Sequence, residues 1–140
     1  MDEQEKTLLK GQHTLQKIED LFMSVDRTVP RWPALFRYTH GQRLYTLLNE
    51  MEALCVAANK KYFKKTTLQD LDIRKAQLEL LVRRIAMTTY EDKKGARRLL
   101  LPPGLHAEWS AKIAEIGNLI GGWKGSLNER GNAVNAKEQA

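Results

Sequence analysis

The residue types that do covalent or metal chemistry are sparse in this chain of 140 residues and poorly spaced for it. His13, His40 and His106 stand far apart, and none has a carboxylate or cysteine at metal-ligand spacing. Cys55 is the one cysteine, so an internal disulfide framework is excluded. It sits among apolar neighbours with no base beside it, and reads as a small buried hydrophobe rather than a nucleophile. There is no Walker-type glycine loop, no nucleophile elbow and no pair of carboxylates alone on an apolar face. No catalytic residue, metal site or cofactor is expected, and the chain reads as a non-enzyme.

What remains is charge. The chain carries 23 Lys and Arg against 17 Asp and Glu, a formal net charge of +6, and the bases are clustered. Lys60, Lys61, Lys64 and Lys65 surround Tyr62 and Phe63, a mixture that can pair phosphate contacts with base stacking. The bland alternative is that lysines favour a helix C-terminus and the aromatics cap a core. Lys93, Lys94, Arg97 and Arg98 form a second cluster. Arg83 and Arg84 are further candidates for contact with an anionic partner. Residues 29–66 hold seven bases and two acids, whereas residues 105–140 balance at four and four. A surface that served solubility alone would not need such polarity.

Four amphipathic helices would position these residues. The last, Leu105 to about Leu127, has an apolar seam of Trp109, Ile113, Ile116, Ile120, Trp123 and Leu127 at spacings of three and four. Beside it runs a row of small residues that includes Gly117, Gly121, Gly122 and Gly125. Glycine costs about 1 kcal/mol against alanine inside a helix, so the row predicts close approach of another backbone, in the bundle core or from another subunit. Trp123 is a candidate for the same contact. The first helix spans about Glu3 to Thr28, with Leu8, Gly11, Leu15, Ile18, Phe22 and Val25 on one face. Pro30 and Pro33 stop it. Trp32, held between them, reads as a plug over the end of the core; alternatively Arg31 and Trp32 form a basic-aromatic knuckle.

The second helix spans about Ala34 to Tyr62, with Leu44, Leu47, Met51, Leu54 and Ala58 as its core face. Arg37 and Arg43 fall on different sides of it. The third starts at Thr67 as N-cap and runs to about Tyr90. It carries two stripes: Leu71, Leu78 and Ile85, and, about 200° away, Ile73, Leu80 and Met87. A helix that also bears Arg74, Lys75, Arg83 and Arg84 cannot be buried all round, so the second stripe is expected to contact another copy. Residues 91–104 form a connector that is long for a helix-helix link. The prediction is one all-α domain over residues 1–127, an up-down-up-down antiparallel four-helix bundle, with a disordered tail over residues 128–140. Such a bundle puts Arg27, Arg31 and Arg37 at one end with Lys93, Lys94, Arg97 and Arg98, and the Lys60–Lys65 cluster at the other. The N-terminus lacks the pattern of a signal peptide and no apolar run nears the ~20 residues that span a bilayer. A cytoplasmic protein away from membranes is expected.

Two stretches carry a family resemblance. One is Val29-Pro30-Arg31-Trp32-Pro33 followed by Arg37, Gly41, Gln42 and Arg43. The other is Glu115-Ile116-Gly117 followed by Leu119-Ile120-Gly121-Gly122-Trp123. Together they resemble the accessory variability determinant (Avd) proteins of diversity-generating retroelements, across roughly Leu8 to Leu127. The resemblance implies a bundle assembled as a ring-like homopentamer. It implies a reverse transcriptase partner and contact with template RNA or DNA, in support of mutagenic retrohoming whose polymerase chemistry belongs to the partner. It places Arg31, Arg37 and Arg43 in the family's basic hinge and second helix. Proteins encoded by intervening sequences in ribosomal RNA genes share the bundle, so a stand-alone nucleic-acid-binding protein is the second possibility. A protein-only adaptor for an acidic partner is the third.

Overall fold

The computed structural model describes residues 2–61 and 64–139, with side chains described for residue 2, residues 5–61 and residues 64–127. Tyr62 and Phe63, the aromatics of the lysine cluster, lie outside the described residues. Helix α1 (Glu3–Thr28) leads into a 3-10 turn (Val29–Arg31), a short helix α2 (Ala34–Phe36), a π-helical turn (Arg37–Gly41) and helix α3 (Gln42–Lys60). Helix α4 (Lys65–Ala86), strands β1 (Thr89–Glu91) and β2 (Arg97–Leu99), and helix α5 (Pro103–Gln139) complete the chain. Helices α1, α3, α4 and α5 form the expected bundle: α3 packs on α1 and α4, and α5 packs on the same two from the other side. No helix among the described residues is long and apolar enough to cross a membrane.

The core is built from seams of period three and four. On α5, Trp109, Ile113, Ile116, Ile120 and Trp123 are all buried. On α3 the buried set is Leu44, Leu48, Met51, Cys55 and Ala58, with Leu47 and Leu54 only half-buried, so the helix is turned slightly from the expected face. On α1 the inner face is Thr7, Gly11, Thr14, Ile18, Leu21 and Val25. Leu8, expected there, is exposed. Hydroxyl groups enter the seam because they are satisfied inside it. Thr14 Oγ1 donates to the Lys10 carbonyl at 2.7 Å, and Ser24 Oγ accepts the Trp109 indole N–H at 2.8 Å. Asp2 caps α1, its carboxylate accepting the Glu5 N–H at 2.7 Å.

Five expectations are corrected. The second helix is interrupted: residues 34–60 contain a π turn, not one continuous α-helix. Thr67 is not an N-cap; α4 begins at Lys65, and Thr67 is buried and accepts a hydrogen bond from Lys61 Nζ at 3.2 Å. The third helix stops at Ala86, before the β-favouring run Thr88-Thr89-Tyr90. The connector is an antiparallel hairpin pairing Thr89 with Leu99 and Glu91 with Arg97. Leu100 and Leu101 anchor it in the core, and Asp92 shapes its turn by accepting the Lys94 and Ala96 N–H groups, both at 2.9 Å. The backbone of α5 is helical to Gln139, beyond the boundary expected at Leu127.

Candidate nucleic-acid and partner interface

One end of the bundle gathers segments distant in sequence. Trp32 is buried as a plug, its ring 6.5 Å from that of Trp109 at the start of α5. Phe36 packs on Tyr90 of β1 at 6.1 Å and stacks on His40 at 5.9 Å. His40 Nε2 lies 3.5 Å from Thr88 Oγ1. The π turn, the hairpin, and the starts of α3 and α5 are therefore one structural unit. It brings Arg31, Arg37, Arg43, Arg83, Arg84, Lys93, Lys94, Arg97 and Arg98 to the same end of the molecule, all with exposed side chains. Lys60, Lys61, Lys64 and Lys65 belong to the opposite end, as the antiparallel topology requires.

These bases are not equally available. Arg98 Nε is held by Asp92 Oδ2 at 2.6 Å, and this pairing keeps the Asp92 carboxyl below the usual carboxylate range. Lys61 is engaged with Thr67. Lys64 Nζ sits 5.8 Å from the Trp123 ring centre, in a cation–π contact. Among the described residues, Arg31, Arg37, Arg43, Arg83 and Arg84 have no carboxylate partner. Their charge faces solvent uncompensated, which is what an anion-binding surface needs.

Two clefts flank the π turn, and Gln42 lines both. The larger, ≈ 710 Å³, runs between α3 and α4. Its walls include Arg43, Glu50, Arg74, Gln77, Leu80 and Arg84. Arg74 Nε pairs with Glu50 Oε2 across it at 2.7 Å. The smaller, ≈ 240 Å³, is lined by Val29, Pro30, Arg37, Tyr38, Gln42 and Tyr45. Arg37 and Arg43 thus lie on different sides, as their spacing predicts. His40, on the π turn, lines neither cleft. Burial, and then the charges of Arg43 and Arg84, push its pKa below the ordinary 6.5. His40 and Tyr38 were not singled out in the sequence as residues of this end, because the π turn that presents them has no periodic signature.

The apolar surface corrects one expectation. Ile73, Leu80 and Met87 are 52%, 59% and 71% exposed, so the second stripe of α4 has no cover within the chain. Trp123, expected at a subunit contact, is fully buried in the core and has no surface to offer. The small residues of α5 admit no close helix of the same chain among the described residues. A side-chain carbon at Gly121, Gly122 or Gly125 would meet nothing, and one at Gly117 only the Lys75 side chain at 3.4 Å.

A family model described as bAvd-like matches residues 14–127. The chain belongs to the bAvd-like family. The matched span runs from the middle of α1 to the last described side chains of α5, so it includes α3, α4, the π turn, the hairpin and most of α1 and α5. The resemblance carried by the proline-arginine hinge and the Gly-Gly-Trp segment is correct. No curated protein and no solved structure matches the chain.

Proposed function

We propose that this protein is a non-catalytic accessory subunit of a diversity-generating retroelement, binding its reverse transcriptase and nucleic acid to support mutagenic retrohoming. The observation that carries this reading is the uncompensated arginine set at one end of a bundle of the bAvd-like family. Phosphate contacts supply affinity by releasing counterions condensed on the nucleic acid, and arginines without carboxylate partners are free to make such contacts. Arg31, Arg37, Arg43, Arg83 and Arg84 are the principal contacts in this proposal. Lys93, Lys94 and Arg97 extend the same surface. Lys60, Lys61, Lys64 and Lys65 form a separate, secondary patch. The subunits assemble as a homopentamer, with Ile73, Leu80 and Met87 at the subunit contact and the small-residue row at Gly117 and Gly121 as a second contact. The complex works in the cytoplasm.

Co-expression with the reverse transcriptase encoded beside it, followed by purification at moderate salt, tests the proposal. Co-purification of both proteins with RNA is the expected result. Arg31→Glu, Arg37→Glu keeps the helical circular-dichroism signal and loses the partner or the RNA. RNA binding by the bundle alone, with no reverse transcriptase retained, would favour the stand-alone nucleic-acid-binding alternative instead.

A further inference from the structure

The smaller cleft combines features that neither the arginine set nor the apolar stripe explains. Tyr38 is 73% exposed, more than any other large hydrophobic side chain among the described residues. It belongs to the π turn Arg37–Gly41. Single-turn π insertions of this kind occur frequently at functional sites. The turn is held from behind: Gly41 is buried, and a side-chain carbon there would lie 2.7 Å from Val29 Cγ1. Opposite Tyr38, the half-buried Tyr45 is steadied by Phe22, ring to ring at 5.9 Å. Val29 and Pro30 contribute an apolar floor, and Gln42 and Arg37 supply polar groups.

We propose that this cleft takes one unstacked nucleobase of a single strand, stacked on Tyr38, with Arg37 at an adjoining phosphate. The inference rests on the nucleic-acid reading above and specifies it. At ≈ 240 Å³ the cleft is smaller than the ~300–1,000 Å³ of pockets for drug-sized ligands, which suits a single ring system. An aromatic side chain beside a base-rich surface is the usual platform for single strands, because every base presents a π face. The Gln42 amide offers both a donor and an acceptor to a base edge. Asp26 is the acid near Tyr45, so the strand's phosphates lie on the Arg31 and Arg37 side. A duplex, with its bases already stacked, gains nothing from this cleft.

The test compares wild type, Tyr38→Ala and Tyr38→Phe for binding to a short fluorescent single-stranded RNA and to an RNA duplex of equal length, over a salt series. Tyr38 is exposed, so the variants fold, which thermal melting verifies. Tyr38→Ala is expected to weaken single-strand binding roughly five-fold or more, to leave duplex binding unchanged, and to keep the salt slope. Tyr38→Phe retains wild-type affinity. Arg37→Gln instead lowers the single-strand salt slope by about 0.7. If wild type binds the strand and Tyr38→Ala binds it equally well, the base site is overturned while the nucleic-acid reading stands. If wild type binds neither RNA, both fall. If Tyr38→Ala keeps RNA but loses the reverse transcriptase, the cleft is a protein contact and the base site is overturned.

Discussion

At the scale of single residues, burial decides which polar groups are inert and which are poised. Burial pushes the Cys55 thiol up to about 12, with Glu19 and Glu52 adding to the shift. Its Sγ lies 3.4 Å from the Gly11 carbonyl, so it is a packing residue. His40 is different. Its Nδ1 is buried without a partner, and its surroundings disfavour the charged ring. The folded-state pKa is below the unfolded one, so the unfolded chain takes up the proton first. Stability is therefore fully present above about pH 6.5 and is lost as pH falls toward the lower folded-state value. Urea unfolding across this window should show wild type losing stability relative to its own value near neutrality, and His40→Gln losing less. Glu52, whose pKa is raised by burial and by Glu19 and Asp26, titrates alike in both proteins and leaves the comparison intact.

At the scale of elements, the irregular pieces set the geometry of the basic end. The π turn and the hairpin meet through Phe36, His40, Tyr90 and Thr88, so neither can move alone. Gly41 is the residue on which the turn depends, because Val29 is β-branched and its methyl group cannot easily swing aside. Gly41→Ala is expected to cost about 1–3 kcal/mol through overpacking, read as a lower denaturation midpoint. A Gly41→Ala protein as stable as wild type would show that the turn is not held by this contact. Gly11 serves a related purpose at the other end, where the Asn59 side chain occupies the space a side-chain carbon would take.

At the scale of the molecule, the exposed apolar surface borders the basic end, with Leu80 lining the same cleft as Arg43 and Arg84. The α4 stripe of Ile73, Leu80 and Met87 lies on the far side of that helix from Leu71, Leu78 and Ile85, which are buried. Three exposed large apolar side chains in one row favour association, at ~25 cal/mol per Å² of apolar surface covered. An Ile73→Glu, Leu80→Glu protein is expected to keep its helical content and to fall in solution mass by light scattering. An unchanged mass would remove this stripe from the subunit contact. The salt bridges between helices, Lys17–Glu115, Arg74–Glu50 and Lys124–Asp72, are solvent-exposed and contribute little to holding the bundle together.

The apolar seam of α5 and the double stripe of α4 were legible in the sequence, because helical period is a local property of residue order. So was the separation of the two basic clusters to opposite ends, since short links between helices force neighbours to run antiparallel. The inner face of α1 was only partly legible: Thr14 and Ser24 look polar in a sequence, and only their hydrogen-bonding shows why they can be buried. The burial of Trp123, the exposure of the α5 glycines and the hairpin anchored by Leu100 and Leu101 depended on which surfaces meet in three dimensions. The cleft beside Tyr38 likewise forms where the π turn meets the end of α1, and the cleft beside Arg43 where α3 meets α4. Sequence determined the bundle and its charge; tertiary packing, which satisfies or exposes each group according to its neighbours, decided where a partner can touch it.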